Sequence, residues 1–278
     1  MEPLTSAQNP RIKHLMQLQQ KSSLRRETGT FVVEGQREIM HCLNMGLKVE
    51  TLFFCKPIME AGDTPELHRS NADVDVSQIL KSCSNSIEVS VELYNKIAYR
   101  GGTEGMIAIV HEQPLKLTDL KLSDCPLIMV LESVEKPGNL GAILRSADAC
   151  GADAVIVCDA LTDLHNPNLI RSSIGAIFSV PCVACSSEEC IAFLKKKNIQ
   201  ILTAQLQDSH LYYDTPMHIP TAIVMGTEAT GLTKKWREAA DAHIRIPMLG
   251  QLDSLNVSVS AAILLYEAVR QRSFKANS

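Results

Sequence analysis

The segment Ile244–Tyr266, IRIPMLGQLDSLNVSVSAAILLY, leaves this chain few ways to fold. Its apolar start, Ile244-Arg245-Ile246, reads as the end of a buried strand. Pro247 stops sheet pairing there, because it has no N–H to donate. Gly250 opens the turn to backbone angles closed to other residues. Asp253, Ser254 and Asn256 all suit a helix N-cap, and Val257, Ala261, Leu264, Leu265 and Ala268 then recur at helical spacing. A polar loop is thus held between a buried strand and a buried helix. By itself this fits an ordinary strand–loop–helix crossover as well as a ligand loop. A loop with no ligand has little reason to set Ser254, Leu255 and Asn256 side by side.

Two earlier junctions follow the same plan. Pro126–Leu131 is an apolar run suited to a strand covered on both faces. The Gly-bearing loop ESVEKPGN follows, with a helix expected to start near Asn139, a common setting for a nucleotide or phosphate. Gly138 and Gly141 make only GxxG, not the dinucleotide fingerprint, which argues against an NAD enzyme. A Rossmann-type small-molecule methyltransferase would need a GxGxG loop after its first strand and an acidic ribose ligand, and neither stands where it should. In a regular helix Asn139 and Arg145 fall on roughly opposite sides; with Asn139 as the cap, Arg145 projects from the second turn. Arg145 also fits a surface ion pair. The small residues of Asn139–Cys150 suit close packing on another helix or on a twin subunit. Further on, the strand Thr221–Met225 runs into Gly226-Thr-Glu-Ala-Thr-Gly-Leu232, which sets Glu228 between two glycines where open α/β sheets bind ligands.

Together these three stretches resemble the SpoU (TrmH-like) RNA methyltransferases: Asn139 with Arg145, G-x-E-x-x-G-L at Gly226–Leu232, and IPM-x-G followed by SLNVSVS at Ile246–Ser260. The N-terminal Phe31-Val-Val-Glu-Gly-Gln-Arg37 is similar to the opening of that family's small RNA-binding domain. The resemblance implies an α/β fold whose C-terminal domain carries a trefoil-knotted parallel sheet, and a homodimer. It implies bound S-adenosylmethionine, held by Gly226, Ile246 and Leu255 with Met248 and the Thr203-Ala204 loop in the same pocket. Asn139, Arg145, Glu228, Ser254 and Asn256 would form the catalytic face. The implied reaction is methyl transfer to a ribose 2′-OH of structured RNA, ribosomal RNA before tRNA. A non-catalytic RNA-binding protein of the same fold is the competing reading, and intact Arg145 and Asn256 argue against it.

A length of 278 residues allows two ordinary domains. The pattern divides them as an α/β RNA-binding domain at 1–114, a linker at 115–123 and the methyltransferase domain at 124–278. In the first domain, strands are expected at Phe31–Val33, Val49–Cys55, Val89–Val91 and Met106–Val110. Residues 61–84 read as loops with one short helix. A net charge of −4 gives no global nucleic-acid signal. Locally, however, Arg11, Lys13, Lys21, Arg25, Arg26 and Arg37 face only Glu27 and Glu34. Arg11, Lys13, Arg25, Arg26, Arg37 and Arg145 are therefore the candidate RNA contacts, with a solvated helix face as the alternative for the N-terminal group. No run reaches the ~18 apolar residues of a membrane span, and Met1-Glu2-Pro3 does not open a signal peptide. The nine cysteines then read as reduced thiols of a cytoplasmic protein. Cys182 and Cys185 form a lone CxxC without a second ligand pair, so no metal is expected.

Overall fold

The computed structural model describes residues 2–61, 74–99, 104–227, 230–251 and 253–275. They form two compact units, Met1–Gln113 with Leu164–Arg171, and Pro114–Asp163 with Ser172–Ser278.

The first unit is built on a four-stranded sheet of β1 (Thr30–Glu34), β2 (Val49–Phe54), β3 (Ser86–Glu88) and β4 (Met106–His111), in the order β1-β4-β2-β3. β4 runs antiparallel to β1 and β2, and β3 parallel to β2. The helix Pro10–Gln20 starts with Pro at its first turn and Asn9 as its cap, the Asn9 side chain accepting from Arg11 N at 2.9 Å. Its buried Ile12, Leu15 and Leu18 join Val32, Phe53, Ile107 and Ile109 in one core. The strand expected at Val89–Val91 lies earlier, at Ser86–Glu88, because Ser90 caps the helix Val91–Ile97 by accepting from Leu93 N at 3.2 Å. Residues 62–73 lie outside the described set; after them comes the short helix Val76–Ser82. Leu164–Arg171 belongs to this unit: the His165 ring stacks on Phe31 at 4.1 Å between centroids, and Tyr99 Oη donates to Asn168 at 3.1 Å.

In the second unit, Leu117, Leu120 and Leu122 pack against the core rather than spanning open space. The sheet comprises β5 (Leu127–Glu132), β6 (Ala154–Cys158), β7 (Cys182–Cys185), β8 (Gln200–Ala204), β9 (His210–Leu211), β10 (Thr221–Met225) and β11 (Ala242–Arg245). Their order is β7-β6-β5-β10-β8-β11-β9, with every pairing parallel. All residues of β5, β6 and β10 are buried, as both-face coverage requires. Ile128, Val130, Ile156 and Val224 meet Cys190 and Leu194 of the helix Ser187–Lys196 and Trp236 of the helix Lys234–Ala239. The helices Pro137–Ala149 and Val257–Lys275 pack on each other and on strands β6, β5 and β10. Gly141 makes a close approach possible, since a Cβ there would lie 2.8 Å from both Cβ of Ser172 and N of Ser173. No helix among the described residues is long and apolar enough to cross a membrane.

Candidate active site

Strand order reverses beside β5, with β6 and β7 on one side and β10, β8 and β11 on the other. In open parallel sheets the loops at the carboxyl ends near such a point converge on a ligand. Here the ends of β8, β10 and β11 enclose a cavity of about 460 Å³. Its wall includes Ala204, Gly226, Ile246, Met248 and Leu255, named from sequence for the cofactor pocket, and Ser254, named there for the catalytic face. The size suits a small-molecule site.

Each loop has a local cause. Met225 ends β10, and the chain folds back so that Thr227 bridges Gly231, whose N–H donates to Thr227 O at 3.0 Å. Thr230 N donates to Thr227 Oγ1 at 3.0 Å, tightening the same turn. Gly226 must be glycine: a Cβ would strike the carbonyl of Gly231 and lie 2.6 Å from Leu232 N. Glu228, inside this loop, lies outside the described residues. After β11, Asn256 opens the last helix, its Oδ1 accepting from Ser258 N at 3.0 Å and from Ser258 Oγ at 2.6 Å.

Thr203 corrects the sequence expectation. It is fully buried inside β8 with its hydroxyl 2.6 Å from His243 Nδ1, so Ala204 alone of that pair reaches the wall. Alternation along the strand sends the two side chains to opposite faces. Gln205, which sequence reasoning missed, also lines the cavity. Its Nε2 donates to Gln207 O at 2.9 Å, while its buried Oε1 has no hydrogen-bond partner among the described residues. The one available signal was its place just past the carboxyl end of β8. A buried acceptor left over at a cavity wall is a vacancy for a ligand donor.

The polar residues expected on the catalytic face divide. Asn256 Nδ2 donates to Asn139 Oδ1 at 3.2 Å, joining the last helix to the helix Pro137–Ala149. That helix begins two residues before Asn139, at Pro137 after Lys136, so Asn139 is not its cap. Regular helical turn then separates Asn139 and Arg145 by about 120°. Arg145 is exposed, with no ion pair among the described residues.

Of the candidate RNA contacts in the first unit, Arg11, Lys13 and Arg26 are exposed. Arg37 is half-buried and pairs with Glu38 at 3.2 Å. Arg25 is 5% exposed, and its guanidinium donates to the carbonyls of Leu18 and Gln19. It closes the end of the first helix and does not stand in the solvent-facing basic group.

Known proteins resemble this chain in sequence and in fold. The 23S rRNA (guanosine(2553)-2′-O)-methyltransferase RlmP of Bacillus subtilis (strain 168) is 27% identical over 269 residues, 96% of this chain and 98% of its own length. A crystal structure of an RNA 2′-O ribose methyltransferase superposes with a TM-score of 0.81 at 39% identity, covering 98% of this chain and all of the other. The AdoMet-bound rRNA methyltransferase from Sinorhizobium meliloti gives 0.83 at 27% identity over 97% of both chains. Residues 9–108 match an MRM3-like substrate binding domain. Residues 126–266, which carry the whole cavity, match the SpoU rRNA Methylase family, and the chain belongs to it.

Proposed function

We propose that this protein transfers the methyl group of S-adenosylmethionine to a ribose 2′-OH of ribosomal RNA. The observation that carries the reading is the cavity at the ends of β8, β10 and β11 with the Asn139–Asn256 pair formed by the helix that follows it. The cavity fits the cofactor: Ile246, Met248 and Leu255 give it apolar walls, Gly226 gives a backbone surface without a side chain, and Gln205 Oε1 is a buried acceptor in need of a donor. Gly226, Ile246 and Leu255 hold the cofactor mainly through backbone groups, with Ala204 and Met248 beside them. When bound, S-adenosylmethionine supplies an electrophilic methyl on a sulfonium.

The protein's own work is positioning, which supplies a large share of the rate when no leaving group needs a proton. Arg145 clamps the phosphate next to the target ribose and stabilises the alkoxide charge as it develops. A guanidinium keeps its proton above pH ~12, which makes it a poor base and a good clamp. Ser254 and Asn256 orient reacting groups by hydrogen bonds, and Asn139 fixes the Asn256 amide. Arg11, Lys13 and Arg26 give the first unit its phosphate contacts, with Arg37 as a further one.

The protein acts as a homodimer. Val259 and Tyr266, seven residues apart on the last helix and therefore on one face, are 47% and 50% exposed. An apolar pair of that kind favours cover by a second copy. Nine free cysteines suit the reducing cytoplasm. The deciding experiment offers labelled cofactor to total rRNA and total tRNA side by side, then maps the product by alkaline hydrolysis. A 2′-O-methyl blocks cleavage at one position, so one band should vanish from the ladder of rRNA. A complete ladder from methylated RNA would move the reaction to a base.

A further inference from the structure

Away from the cofactor cavity, three cysteines converge that are scattered in sequence. Cys158 ends β6 and Cys185 ends β7, and the two are register partners in adjacent parallel strands. Cys190 lies one turn into the helix Ser187–Lys196 that follows β7. The three sulfurs all lie within 4.8 Å of one another. Cys158 and Cys190 are fully buried, and Cys185 is half-buried at the mouth of the group.

We propose that Cys158, Cys185 and Cys190 form a binding site for one thiophilic metal ion, Zn²⁺ in its resting form. Three sulfurs at Zn–S distances of ~2.3 Å from a common centre stand just under ~4 Å apart, so small rotamer changes close this group on an ion. The scaffold is already rigid. Cys185 is fixed by its strand, Asp159 N donating to Cys185 O at 2.9 Å. The turn carrying Cys190 is fixed by a reciprocal cap, in which Ser186 Oγ accepts from Glu189 N at 3.2 Å and Glu189 Oε2 accepts from Ser186 N at 2.9 Å. Zn²⁺ displaces the thiol protons to water on binding. Three protein ligands leave a fourth tetrahedral position for a water molecule. The ion ties the carboxyl ends of β6 and β7 to the helix behind them, on the side of β5 opposite the cofactor cavity.

Cys182 provides the control. It lies three residues before Cys185 on the same strand, so alternation points it to the other face. The full-length protein is reduced, stripped with a chelator and titrated with Co²⁺, then with Zn²⁺. One Co²⁺ per chain should give a sulfur-to-metal charge-transfer band that Zn²⁺ abolishes. Zn²⁺ should also protect Cys158, Cys185 and Cys190 from alkylation and leave labelling of Cys125 and Cys182 unchanged. Cys185→Ser should lose the band and Cys182→Ser should keep it. Absence of a band in the wild type, or a band that survives Cys185→Ser, overturns the site. So does protection of two of the sulfurs by a disulfide, read as a loss of two hydrogens with no bound metal. Because Cys185 is the half-exposed member, its serine variant removes a ligand without opening the core, and circular dichroism checks that it folds. Calorimetric affinity for S-adenosylmethionine should be the same with and without chelator, which separates this site from the cofactor cavity.

Discussion

Asn256 Nδ2 lies 3.2 Å from Asn139 Oδ1, joining residues 117 positions apart through one amide–amide hydrogen bond. Asn256 also accepts from Ser258 N, so one side chain both caps the last helix and reaches the helix Pro137–Ala149. Substitution can separate these tasks. Asn256→Asp keeps the capping oxygen and loses the N–H donor, so stability should hold while methylation falls steeply. Asn256→Ala loses both and should cost about 1 kcal/mol of stability as well. Asn139→Ala should imitate Asn256→Asp in rate. Neither residue lines the cavity, so calorimetric cofactor affinity should stay unchanged in all three. Denaturant melts and single-turnover assays make the comparison, and an Asn139→Ala enzyme at full rate would remove the pair from the mechanism.

Gly226→Ala should damage the cofactor site directly. The added Cβ meets backbone of Gly231 and Leu232, which cannot rotate away as a side chain could. Relief requires the Gly226–Leu232 loop to shift, at a cost of about 1–3 kcal/mol by analogy with overpacked cores. Calorimetry should show cofactor binding weakened or lost while circular dichroism stays native. Unaltered binding would mean the loop relaxes without cost.

The role of Arg145 is separable by its pH profile. A clamp needs the forked guanidinium, so Arg145→Lys should retain a small activity that varies little with pH. A base would instead improve as the lysine ammonium loses its proton near pH ~10.4. Activity of the lysine variant climbing steeply above pH ~9 would reverse the assignment.

The first unit should bind RNA through exposed charge. Arg11→Glu, Lys13→Glu and Arg26→Glu combined should weaken RNA binding and lower the salt dependence of affinity by roughly 2–3 in the log–log slope. Cofactor affinity should not change. Arg25→Ala, by contrast, should leave the slope alone and cost about 1–3 kcal/mol of stability, because it strands buried carbonyls of Leu18 and Gln19. Filter binding across a salt series, paired with thermal melts, checks both.

The dimer should depend on the exposed face of the last helix. Val259→Asp with Tyr266→Asp should convert a particle of two chains into one, read by light scattering at micromolar concentration. A wild type that already scatters as a single chain would end the proposal.

Much of this architecture is legible in the chain because its causes are local. The apolar runs of β5 and β10 read as strands since both faces are covered and no polar alternation is needed. Pro247 ends pairing by lacking a donor, and Asn256 can start a helix by accepting from Ser258 two residues on. The motif residues Gly226, Ile246, Met248, Ser254 and Leu255 reach one cavity because each follows the carboxyl end of a parallel strand.

Tertiary structure alone decided the pairings. Asn139 shows nothing in sequence that selects Asn256. Arg25 looks like its neighbour Arg26, yet the short helix Ser22–Thr28 buries one and exposes the other. Thr203 and Ala204 are adjacent, and strand alternation sends only one to the cavity. The cysteines make the distinction plainest. Spacing groups Cys182 with Cys185, but a strand sends residues three apart to opposite faces. Cys185 meets Cys158 instead, because the register of β6 against β7 sets them side by side, and Cys190, because the next helix turns back over the sheet. Register and helix packing are set by burial across the whole sheet, which no short stretch of the chain contains.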